Sequence, residues 1–175
     1  MSKDLIFTKT RNVKNPYRAN PTDAGIDFFI PEYSEEFANE IIDKSMSKIS
    51  ITETSIIMKP GDNILIPLGI KVIVKDGESL VAFNKSGIGA KKGLGHIAEV
   101  IDRCYEGEVH LNMINLSNEV QEIGFGQKAI QFIQLKISQD QPKEVSNQDY
   151  YDLCKIEHTQ SERGEGGFGS TSIDK

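Results

Sequence analysis

The stretch with the most chemical potential is Glu99-Val100-Ile101-Asp102-Arg103-Cys104-Tyr105-Glu106-Gly107-Glu108-Val109. Two apolar residues, Val100 and Ile101, deliver a single carboxylate, Asp102, and Tyr105 follows three residues later. A lone carboxylate at a turn can take a proton from water; it can equally be an acidic residue in a polar hairpin. A second candidate is Lys85-Ser86-Gly87, at the head of a glycine-rich run that also holds Lys91 and Lys92. Backbone N–H groups of such a turn form a concavity, a serine hydroxyl donates and lysine neutralises charge, so the run suits an anion; the alternative is a solvated basic loop. Asp27 follows the small residues Ala24 and Gly25 at the mouth of an apolar run, which puts a lone carboxylate at a strand end; the plain alternative is a turn cap. The terminal Arg163-Gly164-Glu165-Gly166-Gly167-Phe168-Gly169-Ser170-Thr171 reads as a frayed tail or as a lid. As a lid, its glycine backbone would wrap a ligand, Phe168 would stack on a base, and Arg163, Ser170 and Thr171 would donate to phosphate.

These groups need a scaffold, and the pattern around them is β. Apolar residues alternate on both sides of the Gly107 link, which predicts two antiparallel strands with Asp102 near the tip. Residues 56–58, 64–70, 72–74 and 80–83 are short apolar runs separated by Lys59-Pro60-Gly61-Asp62 and Lys75-Asp76-Gly77-Glu78. Such spacing predicts an all-β sandwich or barrel. Residues 128–137 form a long alternating strand carrying Gln131 and Gln134, and residues 4–9 a short edge strand. Between 31 and 55 the period changes: Phe37, Ala38, Ile41, Ile42, Ser45 and Met46 recur at helical spacing after Ser34-Glu35-Glu36, which predicts an inserted amphipathic helix. Residues 138–160 are polar and weakly periodic, a linker or short closing strand.

A chain of 175 residues, 38% hydrophobic and 26% charged, is of ordinary globular composition. Its formal charge of −6 argues against nucleic acid as a partner. Cys104 and Cys154 lack metal-ligand spacing; they read as free thiols, a disulfide being the alternative. The N-terminal segment has no apolar signal core and no long apolar run occurs, so the expectation is a non-membrane protein of the cytoplasm, or of a host's cytoplasm if the source is viral.

In order, AGIDF (with Asp27), NKSGIGAKKGL, EVIDRCYEGEV, GQKAIQF and RGEGGFGSTS resemble the five motifs of the homotrimeric dUTP pyrophosphatases, the dUTPases. The likeness runs from about Pro21 to Ser172, apart from the insert at 31–55. It implies a β jelly roll over residues 1–160 with one short inserted helix, and a flexible glycine-rich arm over 161–175. It implies a homotrimer whose active sites lie between subunits. By resemblance, Asp102 is the general base that activates water against the α-phosphorus of dUTP. Mg2+ chelates the phosphates and is held through water by Asp27 and Gln131. Lys85, Ser86 and Gly87 contact the α- and β-phosphates, while Arg163, Ser170 and Thr171 hold the γ-phosphate. Tyr105 lies against the deoxyribose, backbone groups around 97–101 (Glu99, Val100 and Ile101 among them) read uracil, and Phe168 with Gly169 covers it. The reaction limits uracil in DNA and supplies dUMP.

Three positions depart from the family pattern. Lys85 stands where arginine is usual, Glu99 where glycine is common, and Cys104 where an acidic or small residue is frequent. Two other readings remain. The related dCTP deaminases place a catalytic glutamate ten residues after the aspartate; here that position is Asn112, which cannot shuttle a proton. A dUTP-binding regulatory module is the other reading, with the insert as a partner surface.

Overall fold

The structure, a computed structural model, describes residues 4–157. In chain order the elements are β1 (Ile6–Lys9), β2 (Ile26–Phe29), α1 (Glu35–Lys44), β3 (Ser50–Ile51), β4 (Ser55–Met58), β5 (Asn63–Pro67), β6 (Ile70–Ile73), β7 (Glu78–Asn84), α2 (Ser86–Lys92), β8 (Leu94–His96), β9 (Val100–Ile101), β10 (His110–Asn115), β11 (Gln121–Gly124), β12 (Lys128–Lys136) and α3 (Asn147–Glu157). The fold is all-β and jelly-roll-like, and it carries two short helices besides the inserted one. Among the described residues no helix is long and apolar enough to cross a membrane.

The strands form four small antiparallel sheets, ordered β1-β6, β5-β10-β8, β11-β4-β3 and β2-β12-β7-β9. Alternation sorts their faces: in β10, Leu111, Met113 and Asn115 are buried while the residues between them are only partly covered. β2 is buried along its whole length. Phe28 meets Phe132 of β12 with ring centroids 4.7 Å apart; burying such a side chain is worth about 1.5–3 kcal/mol.

One expectation fails. The strands flanking Asp102 are not a hairpin: β9 pairs with β7, whereas β10 lies between β5 and β8. Alternation shows that a segment is a strand but not which strand it pairs with, and the 102–109 link crosses between two sheets. Residues 84–95 are likewise not all loop. Ser86–Lys92 is a helical turn that buries Ile88, with Gly93 left-handed at φ 62°.

The inserted helix α1 starts where Ser34 accepts a hydrogen bond from Phe37 N (3.2 Å) and buries Phe37, Ala38 and Ile41. At ten residues it is the short amphipathic helix expected of the insert. Ser45 Oγ donates back to Ile41 O (2.6 Å) and accepts from Leu65 N (3.2 Å), which turns the chain towards β5. Its outer face is ionic. Arg11 grips Glu108 with two N–H groups (2.9 and 2.8 Å) and gives a third to Glu40 (2.8 Å), which Lys44 also meets at 2.8 Å.

Residues 139–157 belong to a second compact unit, and here too the expectation fails: α3 replaces the linker or closing strand. Ser146 Oγ accepts from Asp149 N (3.1 Å), and Asp152 pairs with Gln148 (2.9 Å) and Lys155 (3.0 Å). A capped start and side-chain pairs three or four residues apart support a helix that buries nothing. Both cysteines are free thiols.

The ionic face of α1 makes stability depend on acid. Hydrogen bonds from Arg11 and then Lys44 hold the Glu40 carboxyl at about 2, against an ordinary 4.5. A depressed carboxyl stabilises the fold above its unfolded pKa, and that contribution is lost as pH falls from 4.5 towards 2. Glu40 is partly exposed, so the effect should be on the order of 1 kcal/mol, or about 2–4 °C in Tm. Glu40→Gln should lower Tm by that amount near neutral pH, and the gap to the wild type should close in acid. A gap unchanged by pH would mean that the ion pairs do not stabilise α1.

Candidate active site

Three adjacent strands bring the first cluster together. In the β2–β12–β7 register Asp27 is opposite Gln131, and Gln131 is opposite Phe83. Lys85 follows directly on the end of β7, and Lys128 opens β12. Asp27 is only 4% exposed. Lys85 bonds one of its carboxylate oxygens and Lys128 the other, the latter at 2.9 Å. Burial pushes the Asp27 carboxyl up, but the hydrogen bonds from Lys85 and Lys128 outweigh it, so the group sits below its ordinary value. Lys128 also lies 4.4 Å from the centre of the Tyr17 ring, and Tyr17, with Asp27 next, raises its pKa.

Gln131 Nε2 donates to Asn84 O (3.0 Å). A side chain at position 25 would collide with the Gln131 amide oxygen, so only glycine lets the amide stand beside Asp27. Gly25, Asp27, Lys85 and Gln131 line one depression of about 290 Å³. At its edge α2 begins at Ser86, and the N–H groups of Ser86 and Gly87 belong to a first helical turn, whose donors have no partner within the helix.

The second cluster surrounds Asp102. Ala98 to Asp102, with Tyr105, His110 and Phe132, line another depression of about 250 Å³. Its wall is held to β7: Ala82 N donates to Glu99 O (2.7 Å), and Ser79 Oγ donates to Ile101 O (3.1 Å). Asp102 is exposed just past β9, and its carbonyl accepts from Tyr105 N (3.1 Å). Tyr105 OH donates to Glu108 O (2.8 Å), which requires the missing side chain of Gly107. Glu108 O also lies 2.8 Å from His110 Nδ1, while His110 Nε2 faces Lys44 Nζ of α1 at 3.1 Å. The inserted helix thus backs the wall of this depression.

The two depressions share no lining residue. Asp27, Lys85 and Gln131 meet in one, and Glu99, Val100, Ile101, Asp102 and Tyr105 in the other. Arg163, Phe168, Gly169, Ser170 and Thr171 lie outside the described residues. Reading the sequence missed Lys128, an ordinary strand-opening lysine whose proximity to Asp27 appears only with the strand register. It also missed His96, which reaches Asn84 Oδ1 (2.6 Å), Ala82 O (3.2 Å) and Glu99 Oε1 (3.4 Å). Among the described residues no three acidic, histidine or cysteine side chains cluster as a metal cage.

Comparison with known proteins identifies the family. The dUTPase family model matches residues 49–172. A deoxyuridine 5'-triphosphate nucleotidohydrolase of Shewanella pealeana is 30% identical over 148 residues, which cover 83% of this chain and 88% of the relative. The enzyme of the same name from Fusobacterium nucleatum is 31% identical over 144 residues, covering 81% and 88%. Among solved structures, a mutant dUTPase of Staphylococcus bacteriophage 80alpha with dUpNHpp superposes with a TM-score of 0.71 at 20% identity, over 98% of this chain and all of that one. A mutant dUTPase from phage phi11 of S. aureus, described with a structural Mg(II) ion, gives 0.63 at 19% identity, over 83% and 98%. With motifs in family order, the family fold and a family match over most of its length, the chain belongs to the dUTPases, the dUTP diphosphatases.

Proposed function

We propose that the chain cleaves dUTP to dUMP and pyrophosphate in a homotrimer, with one copy supplying the base pocket and Asp102 and another the phosphate cradle. The observation that carries the reading is the separation of the two depressions. One holds Lys85, at the head of the glycine-rich turn, and the other holds Asp102, so one chain alone does not gather the chemistry into one cavity.

Asp102 would take the proton of a water that attacks the α-phosphorus, while the pyrophosphate leaves in line. General-base help of this kind is worth about 10²- to 10⁴-fold. The backbone from Ala98 to Ile101, fixed to β7, would pair with the uracil edge; rejection of a wrong base then follows from groups left unpaired. Tyr105, pinned through its hydroxyl to Glu108, would stand against the deoxyribose and leave no room for a 2′-hydroxyl. Lys85, Ser86 and Gly87 would meet the α- and β-phosphates. Lysine in place of arginine keeps the charge and loses the two-pronged fork. Arg163, Ser170 and Thr171 would hold the γ-phosphate, with Phe168 and Gly169 covering the base.

The first cluster fits Mg2+ in a particular way. Both Asp27 oxygens already accept from lysines, and each keeps a lone pair that can accept from metal-bound water. One carboxylate and two ammonium groups leave the cluster with a charge of +1. A free cation is repelled there, whereas one arriving on a triphosphate is not. Asp27 and Gln131 would hold the hydrated ion through water, and when bound it draws charge from the phosphate oxygens. By limiting dUTP, the reaction keeps uracil out of DNA and supplies dUMP for dTTP synthesis.

Pyrophosphate release with Mg2+ should occur from dUTP and not from dCTP, dTTP or UTP. Asp102→Asn should lower turnover at least about a hundredfold while dUTP still binds. Near-wild-type turnover in that variant would remove Asp102 from the chemistry, and binding without any turnover by the wild-type chain would favour a regulatory module. Gly25→Ala should displace the Gln131 amide and cut the rate about tenfold or more with an unchanged melting curve. A variant as fast as the wild type would show that Gln131 takes no part.

A further inference from the structure

We propose that His96 sets the pyrimidine specificity of the pocket by holding the Glu99 carboxylate off the base. The proposal rests on the reading that residues 97–101 face the pyrimidine. Glu99 lines that depression. Its main chain is fixed, because Glu99 O accepts from Ala82 N at 2.7 Å and Ile97 N donates to Asn112 O at 3.1 Å. Only the side chain is free to choose a direction, and it is 55% exposed.

His96 supplies that direction. Its side chain is 7% exposed. Nδ1 lies 2.6 Å from Asn84 Oδ1 and Nε2 lies 3.2 Å from Ala82 O, so the ring is oriented by β7 and not by Glu99. Glu99 Oε1 stands 3.4 Å from the same Nε2. Nε2 faces two oxygens, whereas at Nδ1 the Asn84 amide can be turned to present its N–H, so Nε2 carries the proton. Its N–H bonds Ala82 O, and the Glu99 carboxylate lies 3.4 Å from the same nitrogen, drawn to its positive edge. An anchored donor therefore draws an otherwise loose carboxylate back against β7.

The consequence follows from the two bases. Uracil offers two carbonyl oxygens on either side of one N–H, whereas cytosine offers an amino group in place of one carbonyl. A carboxylate only accepts. Swung over the pocket, Glu99 would oppose the lone pairs of a uracil carbonyl and would pair with the cytosine amine. Glycine, common in the family at this position, poses no such problem. A glutamate here needs a restraint, and His96 provides it. His96 is a positioning residue: it acts on the base through Glu99.

The test is kcat/KM for dUTP and for dCTP in His96→Leu, His96→Gln, Glu99→Asp and the double variant His96→Leu with Glu99→Gly. His96→Leu should lower the dUTP-to-dCTP ratio about tenfold or more, mainly through KM, the size expected when a buried polar group loses its partner. His96→Gln, which keeps a donor near Nε2, should retain most of the ratio. Glu99→Asp leaves His96 and its bonds to β7 in place but moves the carboxylate out of reach, so the ratio should fall even if His96→Leu does not fold. Glu99→Gly in the His96→Leu background should restore the ratio, which a general loss of packing would not allow. An unchanged ratio in both His96→Leu and Glu99→Asp, or no rescue in the double variant, would overturn the role of His96 and leave the proposed reaction standing. Failure of the wild-type chain to cleave dUTP would overturn the proposed reaction and this inference with it.

Discussion

The Asp27 carboxylate is the constraint around which the first cluster, the proposed phosphate side, is built. An unpaired charge in a buried position costs several kcal/mol, and here two lysines from different segments cover it. Lys85 comes from the end of β7 and Lys128 from the start of β12, so the pairing holds only while β2, β12 and β7 keep their register. That register puts Gln131 beside Asp27 and demands glycine at position 25. Removing either lysine leaves the carboxylate half-covered. The same arrangement gives the cluster a charge of +1 within a chain of net charge −6, and the proposed placing of a polyanion there relies on it.

The second depression depends on the same sheet from its other edge. β7 carries Asn84 next to the phosphate side and, through Ala82 and Ser79, holds the wall that ends in Asp102. Asn84 receives Gln131 on its carbonyl and lies against His96 with its side chain. One strand thus fixes both sets of groups. Behind Tyr105, the inserted helix reaches the same wall through Glu40, Arg11 and Glu108, and through Lys44 and His110. A segment outside the family motifs is therefore part of the support of the depression proposed to hold the base.

Local pattern carried much of this in the sequence. The turn at Lys59–Asp62, the alternation in β10 and β12, and the Ser34 cap of α1 each follow from a few neighbouring residues. Partnership was not legible. Val100–Ile101 and the strand from Val109 look like a hairpin because both alternate around a glycine, yet each pairs in a different sheet. α1 has the length its period suggests, but its end is set by Ser45 bonding β5, a contact invisible in the helical period. α3 was missed because it buries nothing, so apolar periodicity had no signal to give; the Ser146-to-Asp149 spacing was the available one. In the site, Asp27, Lys85, Gln131, Asp102 and Tyr105 stood out through motif chemistry. Lys128 and His96 gain meaning only from the strands that bring them to Asp27 and Glu99.

The most direct measurement of the central claim is complementation between two inactive variants, Asp102→Asn and Lys85→Ala, co-expressed so that their chains mix. If each site takes Asp102 from one chain and Lys85 from another, random mixing makes one site in four intact, and dUTP cleavage should recover to about a quarter of the wild-type level. If both residues serve from a single chain, no intact site can form. Activity no higher than that of either variant alone would contradict the account.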